Sequence, residues 1–170
     1  MVEPQAQFEQ LYHAYADRVH AYALRRTTPG AADDVVAEVF LVVWRRLHRV
    51  PSEPLPWLLG VARRVLANRR RTESRAAALQ DRLAAGRSPS EPCVVSAEVD
   101  DRVQRALAGL SERDRELLLL IAWEGLRVNE AAQALGVRSG TLAVRLHRAR
   151  QRLTQALADE DVEIEMEVQR

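Results

Sequence analysis

Lysine is missing from these 170 residues: all 25 basic side chains are arginine. The bias fits the codon usage of a GC-rich genome better than any chemical need. Cysteine is nearly missing as well. The single Cys93 excludes an intrachain disulfide and a cysteine-based zinc site, and with no basic neighbour it reads as inert. Aromatic residues make up only 5%, yet 47% of the chain is apolar, enough for real cores. No apolar run approaches the ~18 residues of a membrane span, and nothing at the N-terminus resembles a signal peptide. No membrane insertion is therefore expected, and a cytoplasmic location is. His13 and His20 lack a third ligand nearby, so no metal is expected. No nucleophile–base pair or phosphate loop is visible, so neither a catalytic residue nor a cofactor is expected.

What is present is segregated charge. The net charge of +1 hides six arginines against one acid over 57–75 and five arginines with no acid over 138–152. It also hides six acids with no base over 159–167. Such blocks speak of partners more than of fold.

A first helix is expected over 6–26. Phe8, Leu11, Tyr12, Tyr15, Val19, Tyr22, Ala23 and Arg26 step at three and four residues, a stripe read as core. Thr28 suits an N-cap and Pro29 the first position of a second helix. Asp33 and Asp34 fall early in that helix, where the dipole favours acids. Val35, Val39, Val42, Val43 and Leu47 form its buried stripe, with Phe40 and Trp44 as a second line. Asp33, Glu38 and Leu41 are left outside. The three prolines of 49–56 predict a loop, and a third helix opens at Trp57. There Leu58, Val61, Ala62, Val65 and Leu66 pair with Trp57 every four residues. Arg63, Arg64, Asn68, Arg69, Arg70 and Arg71 cover the rest. The net +5 over 57–75 exceeds what solubility needs, and a nucleic-acid face explains it.

Alanine and leucine extend this helix for some distance. Gly86 to Ser96 then lack periodicity, which predicts a linker. A second domain starts near Val99, with Val103, Ala106, Leu107 and Leu110 in one stripe. Ser111 caps the next helix and Asp114 takes its N3 position. Four consecutive leucines, 117–120, are too many for one core face, so one or two are expected to meet another surface. Over 126–153 two short helices meet at a tight turn. Ala131, Ala132 and Leu135 repeat at helical spacing, Gly136 ends the first helix, and Val137 plugs the turn. Ser139 caps the second, whose apolar stripe is Leu142, Leu146, Ala149 and Leu153. Arg138, Arg145, Arg148 and Arg152 lie off that stripe. This is a helix-turn-helix with a basic second helix, and both a solvated face and a DNA-reading face fit it. The acidic end, 159–170, reads as a disordered tail that could compete with DNA for the arginine face.

Wording within these segments narrows the choice. Glu130, Ala131, Ala132, Leu135, Gly136, Gly140, Thr141, Arg148, Ala149 and Arg150 resemble the last conserved region of bacterial RNA polymerase sigma factors of the extracytoplasmic-function group. Asp33, Asp34, Val39, Phe40 and Trp44 resemble that family's second conserved region, as does PWLLGVARRVLANRRR. The resemblance implies an all-α chain of two small helical domains joined by a linker, the C-terminal one a helix-turn-helix. Its expected parts are a region 2 domain (1–75), a linker (76–98), a region 4 domain (99–158) and the acidic tail (159–170). It implies core RNA polymerase docking at Asp33, Asp34, Glu38, Phe40 and Leu41. It implies −10 element contacts at Trp57, Arg63, Arg64, Asn68, Arg69, Arg70 and Arg71, with a base pocket around 52–55. It implies −35 contacts at Arg138, Ser139, Thr141, Arg145 and Arg148, and an anti-sigma factor as a partner of a free monomer. Arg127 and Arg138 depart from the pattern, standing where the family commonly has serine or threonine. Ala143 and Val144 depart too, by offering bases few polar groups. A dimeric helix-turn-helix regulator and a sigma-like protein-interaction module are the other classes left open.

Overall fold

The structure, a computed structural model, describes residues 3–81 and 101–168, with side chains over 3–76 and 101–159. The chain divides into two units, Met1–Val94 and Val95–Arg170. The described residues are helical throughout, without a strand.

The first unit holds α1 (Pro4–Leu24), α2 (Pro29–Arg45), a 3-10 turn (Leu47–Arg49) and α3 (Pro54–Asp81). All three helices open on proline, whose missing N–H falls where a helix start has no partner to offer. This corrects the expected start of α3 at Trp57. Pro54 and Pro56 occupy the first and third positions, so neither removes a helical hydrogen bond, and the last three residues of the loop expected at 49–56 belong to α3. Thr28 stands at the N-cap of α2 as expected, but its hydroxyl makes no capping bond. The three helices pack pairwise around Val19, Tyr22, Val35, Val39, Val43, Leu58 and Leu59. Arg26 joins this core: its guanidinium lies 3.6 Å over the Tyr22 ring and donates to the Tyr22 carbonyl. The linker expected over 76–98 is helical as far as Asp81. The remainder, with Cys93, and Val99 lie outside the described residues.

The second unit holds α4 (Asp101–Ala108), α5 (Glu112–Ala122), α6 (Val128–Leu135) and α7 (Ser139–Val168). Ser111 caps α5 as expected, its Oγ accepting from the Asp114 N–H at 3.2 Å. The four leucines overturn the expectation placed on them: Leu117, Leu118, Leu119 and Leu120 are all buried, none more than 7% exposed. A helix apolar on every side is stable when neighbours enclose it, and α5 packs on both α6 and α7. Arg115 closes the end of α4, donating to the carbonyls of Leu107 at 2.8 Å, Ala108 at 2.6 Å and Leu110 at 3.2 Å. Leu107 and Ala108 end α4, where a helix leaves its carbonyls without a helical partner, and Leu107 also accepts from the Leu110 N–H at 3.2 Å.

The turn between α6 and α7 is built by backbone. Gly136 takes φ 69°, and the Val137 N–H bonds back to the Ala132 carbonyl at 3.0 Å. The Val137 side chain is exposed, so it does not plug the turn. Arg127 precedes α6, where Glu130 accepts from its N–H at 2.6 Å. An arginine side chain has no acceptor to return the bond, so only half a capping box forms. Ser139 is the first residue of α7, not its cap: the Arg138 carbonyl takes the first helical bond, from Leu142 at 3.0 Å. The tail expected to be disordered continues α7 to Val168. Extending a formed helix adds one bond per residue, and glutamate and methionine favour it. A continuous helix cannot fold back on its own upstream face, so the competition expected of the tail is not open to it in this state.

Arg115→Ala removes a donor from three carbonyls, of which Leu107 keeps the Leu110 N–H at 3.2 Å. We expect a loss of about 1–3 kcal/mol in the stability of the second unit, read by chemical denaturation, with Arg115→Lys in between.

Candidate nucleic-acid interface

Helix α7 turns Leu142, Leu146 and Ala149 inward, at spacing i, i+4, i+7. That spacing fixes what faces out. Gly140, Thr141, Val144, Arg148 and Gln151 are exposed. Between this face and the start of α5 lies an open cleft of about 570 Å³. Its walls are Ser111, the cap of α5, and Arg113 from α5, with Thr141, Val144, Arg145, Arg148 and Arg152 from α7. Asp114 forms part of its lining, buried and gripped by Arg152. The cleft thus carries four guanidinium groups against one carboxylate, which is already engaged. Phosphate oxygens fit this chemistry, since guanidinium binds them through paired N–H groups.

Among the residues expected at the −35 element, Thr141, Arg145 and Arg148 share the cleft. Arg138 and Ser139 are exposed at the start of α7. Arg113 and Arg152 were not among the expected residues. Arg152 was visible in the arginine block, but Arg113 lies on another helix, 25 or more positions from that block, and only packing brings it in.

The basic face of α3 divides in two. Arg64, Asn68, Arg71 and Arg75 are exposed at i, i+4, i+7, i+11, one outward stripe. Arg75 was not among the expected site residues, although its spacing marks it. Arg64 Nε also bonds the Gly60 carbonyl at 3.0 Å, and the Asn68 carbonyl accepts from Thr72. Arg69 and Arg70 leave that stripe, Arg69 half-buried and Arg70 still exposed. Arg69 donates to Glu38 at 2.8 Å from Nε and 2.7 Å from Nη2, and to Asp34 at 3.1 Å. The bond to Glu38 raises the Arg69 pKa above its ordinary value; burial opposes the rise and Asp34 adds to it. Arg70 donates to the Arg26 carbonyl at 3.3 Å. Trp57 and Arg63 are half-buried. Of the base pocket expected around 52–55, Ser52 and Glu53 form an exposed bend, while Leu55 belongs to α3.

The residues expected to meet polymerase separate likewise. Asp34 and Glu38 are the partners of Arg69, and Asp33 lies 3.1 Å from His20 Nε2. Leu41 is 49% exposed. Phe40 is buried, packed edge-on against Phe8 and Tyr12. The exposed aromatic surface here belongs to Tyr12 and to Trp44, which lies one turn further along α2, 50% exposed and edge-on to Phe8. Among the described residues no group of acids, histidines or cysteines is placed to hold a metal ion. No described helix is long and apolar enough to cross a membrane.

Two helical units, each with an arginine face and one with a helix-turn-helix, define a class of DNA-associated proteins. Residues 11–76 match Sigma-70 region 2, and residues 100–153 match Sigma-70, region 4. The chain is 32% identical over 145 residues to the ECF RNA polymerase sigma factor SigL of Mycobacterium tuberculosis, covering 82% of each. It is 31% identical over 158 residues to SigE of Mycolicibacterium smegmatis, covering 89% of this chain and 62% of that protein. The chain belongs to the extracytoplasmic-function sigma factors of the sigma-70 family. It spans only 39% to 62% of the length of several curated relatives. In fold it is similar to the sigma factor RpoE of Bartonella quintana, solved with the anti-sigma factor NepR. That match has a TM-score of 0.66 and 23% identity, and covers 89% of this chain and 96% of that one.

The split of the α3 face has a measurable consequence. Arg71→Ala should lower the log–log salt slope of single-stranded DNA binding by about 0.7, one phosphate contact. Arg69→Ala should leave that slope unchanged.

Proposed function

We propose that the chain is a sigma factor that binds core RNA polymerase and directs it to promoter DNA for transcription initiation. The observation that carries this reading is the order of two matched regions, each on its own helical unit and each with an arginine face. A lone helix-turn-helix would fit many regulators; region 2 ahead of region 4 does not.

On this reading α2 docks on polymerase through its exposed surface: Asp33, Asp34, Glu38 and Leu41, with Phe40 buried behind them and Trp44 beside them. Helix α3 meets the −10 element through Arg64, Asn68 and Arg71, with Arg63 and Trp57 partly covered. Arg69 and Arg70 serve it from behind, holding α3 to α2 and to the end of α1. Helix α7 meets the −35 element through Arg138, Ser139, Thr141, Arg145 and Arg148, and Arg113 and Arg152 widen the phosphate-binding surface. The domains follow as 1–75 and 99–158, with 76–98 as the connection. The chain works as a DNA-binding initiation factor without catalysis, metal or cofactor of its own, in the cytoplasm, and is a monomer when free. The apolar surface of Leu41 and Trp44 suits an anti-sigma factor, which would then exclude polymerase by covering the same helix.

Run-off transcription with purified core polymerase on genomic fragments tests the reading. Specific transcripts are expected, and Arg145→Ala with Arg148→Ala should lower them at least tenfold, since each good base or phosphate contact is worth about 1–3 kcal/mol. Absence of any binding to core polymerase would reject it, and a dimer that footprints DNA alone would replace it with the conventional regulator.

A further inference from the structure

Val144 is the most exposed of the large apolar side chains among the described residues, at 54%. It lies midway between the inward Leu142 and Leu146, at the centre of the outward face of α7. Its neighbours one turn before and after are Gly140 and Arg148. A Cβ on Gly140 would meet nothing within 4 Å, and its φ is not positive, so no crowding or turn inside the chain calls for glycine there. Glycine weakens a helix, so its presence leaves a low wall beside Val144 at some cost. Val144 lines the same cleft as Arg145 and Arg148.

The surroundings select the occupant. Arg145 and Arg148 call for a polyanion, and among the described residues of this unit only Val137, in the preceding turn, is another exposed large hydrophobic. One isolated valine among arginines does not make an apolar docking patch for a protein. It does match a single methyl group within a strongly anionic groove. The major groove of DNA offers one such group, the C5 methyl of thymine, and a recognition helix reads base edges with its N-terminal residues, of which Val144 is the sixth in α7. We propose that Val144 is a specificity residue that seats against a thymine C5 methyl in the promoter element bound by α7. The proposal rests on reading α7 as the DNA-binding helix.

The test uses the full chain with core polymerase. Holoenzyme selects its preferred DNA from a random library. Each thymine in the element covered by α7 is then replaced singly by deoxyuridine, which removes the methyl and nothing else. We expect one position at which the replacement weakens binding roughly fourfold, the value of one buried methyl group. With Val144→Ala, a substitution that favours the helix and touches no core, the difference at that position should vanish. The proposal is overturned by a selected element without thymine on either strand, by insensitivity at every position, or by equal sensitivity in Val144→Ala. Failure of the parent reading looks different: the holoenzyme selects no sequence, or Arg145→Ala with Arg148→Ala leaves the selected site bound as before. Either result overturns the proposal too.

Discussion

Enclosure of α5 is what the second unit depends on. Burying a leucine side chain is worth about 2 kcal/mol, so four in succession approach the net stability of a whole small domain. No other run in this unit supplies so much. With α5 covered by α6 and α7, the orientation of α7 follows: its Leu142–Leu146–Ala149 side must point inward, and its arginines must then face out. The Asp114–Arg152 pair adds direction to a force that has none. A buried carboxylate cannot drift from its guanidinium partner without a large desolvation penalty, so the start of α5 and the middle of α7 stay in register. The arginine-lined cleft is a by-product of that registration.

The first unit meets a different constraint. Its proposed polymerase face and its proposed promoter face use charges that already answer one another, through Asp34, Glu38 and Arg69. The acids are about half exposed or more, with side chains at 63% and 47%, so the pairing is shallow and screened by salt. It orders the α2–α3 surface without locking it. A partner bringing its own cations to Asp34 and Glu38 would find them occupied but not inaccessible.

Helix positions and inward stripes were legible because apolar spacing at three and four residues survives in a chain so rich in arginine. Ser111 and Gly136 were legible from capping chemistry alone. The leucine run was not, since periodicity reports one buried face and cannot foresee neighbours on every side. The start of α3 was missed because proline was weighed as a breaker, when at the first and third positions it breaks nothing. For the site, composition located the two arginine blocks but not how each divides. That Arg69 faces α2 while Arg71 faces out is a matter of 200° around one helix, beyond what a block of charge records. That Arg113 joins the α7 cleft depends on packing between helices, which no local pattern contains.

The length of α7 carries a consequence for how the molecule approaches its target. Its backbone is continuous from Ser139 to Val168, with the arginines in the first half and six acids over 159–167. At 1.5 Å per residue the two charge centres stand about 24 Å apart. Both reinforce the peptide dipole of the helix instead of opposing it: cations at its positive end, acids at its negative end. Such a rod experiences a torque in the field of a polyanion well before contact. On the proposed function, the unit that carries it turns the basic half toward the phosphates and the acidic half away, so encounters begin already aligned and the useful fraction of collisions rises.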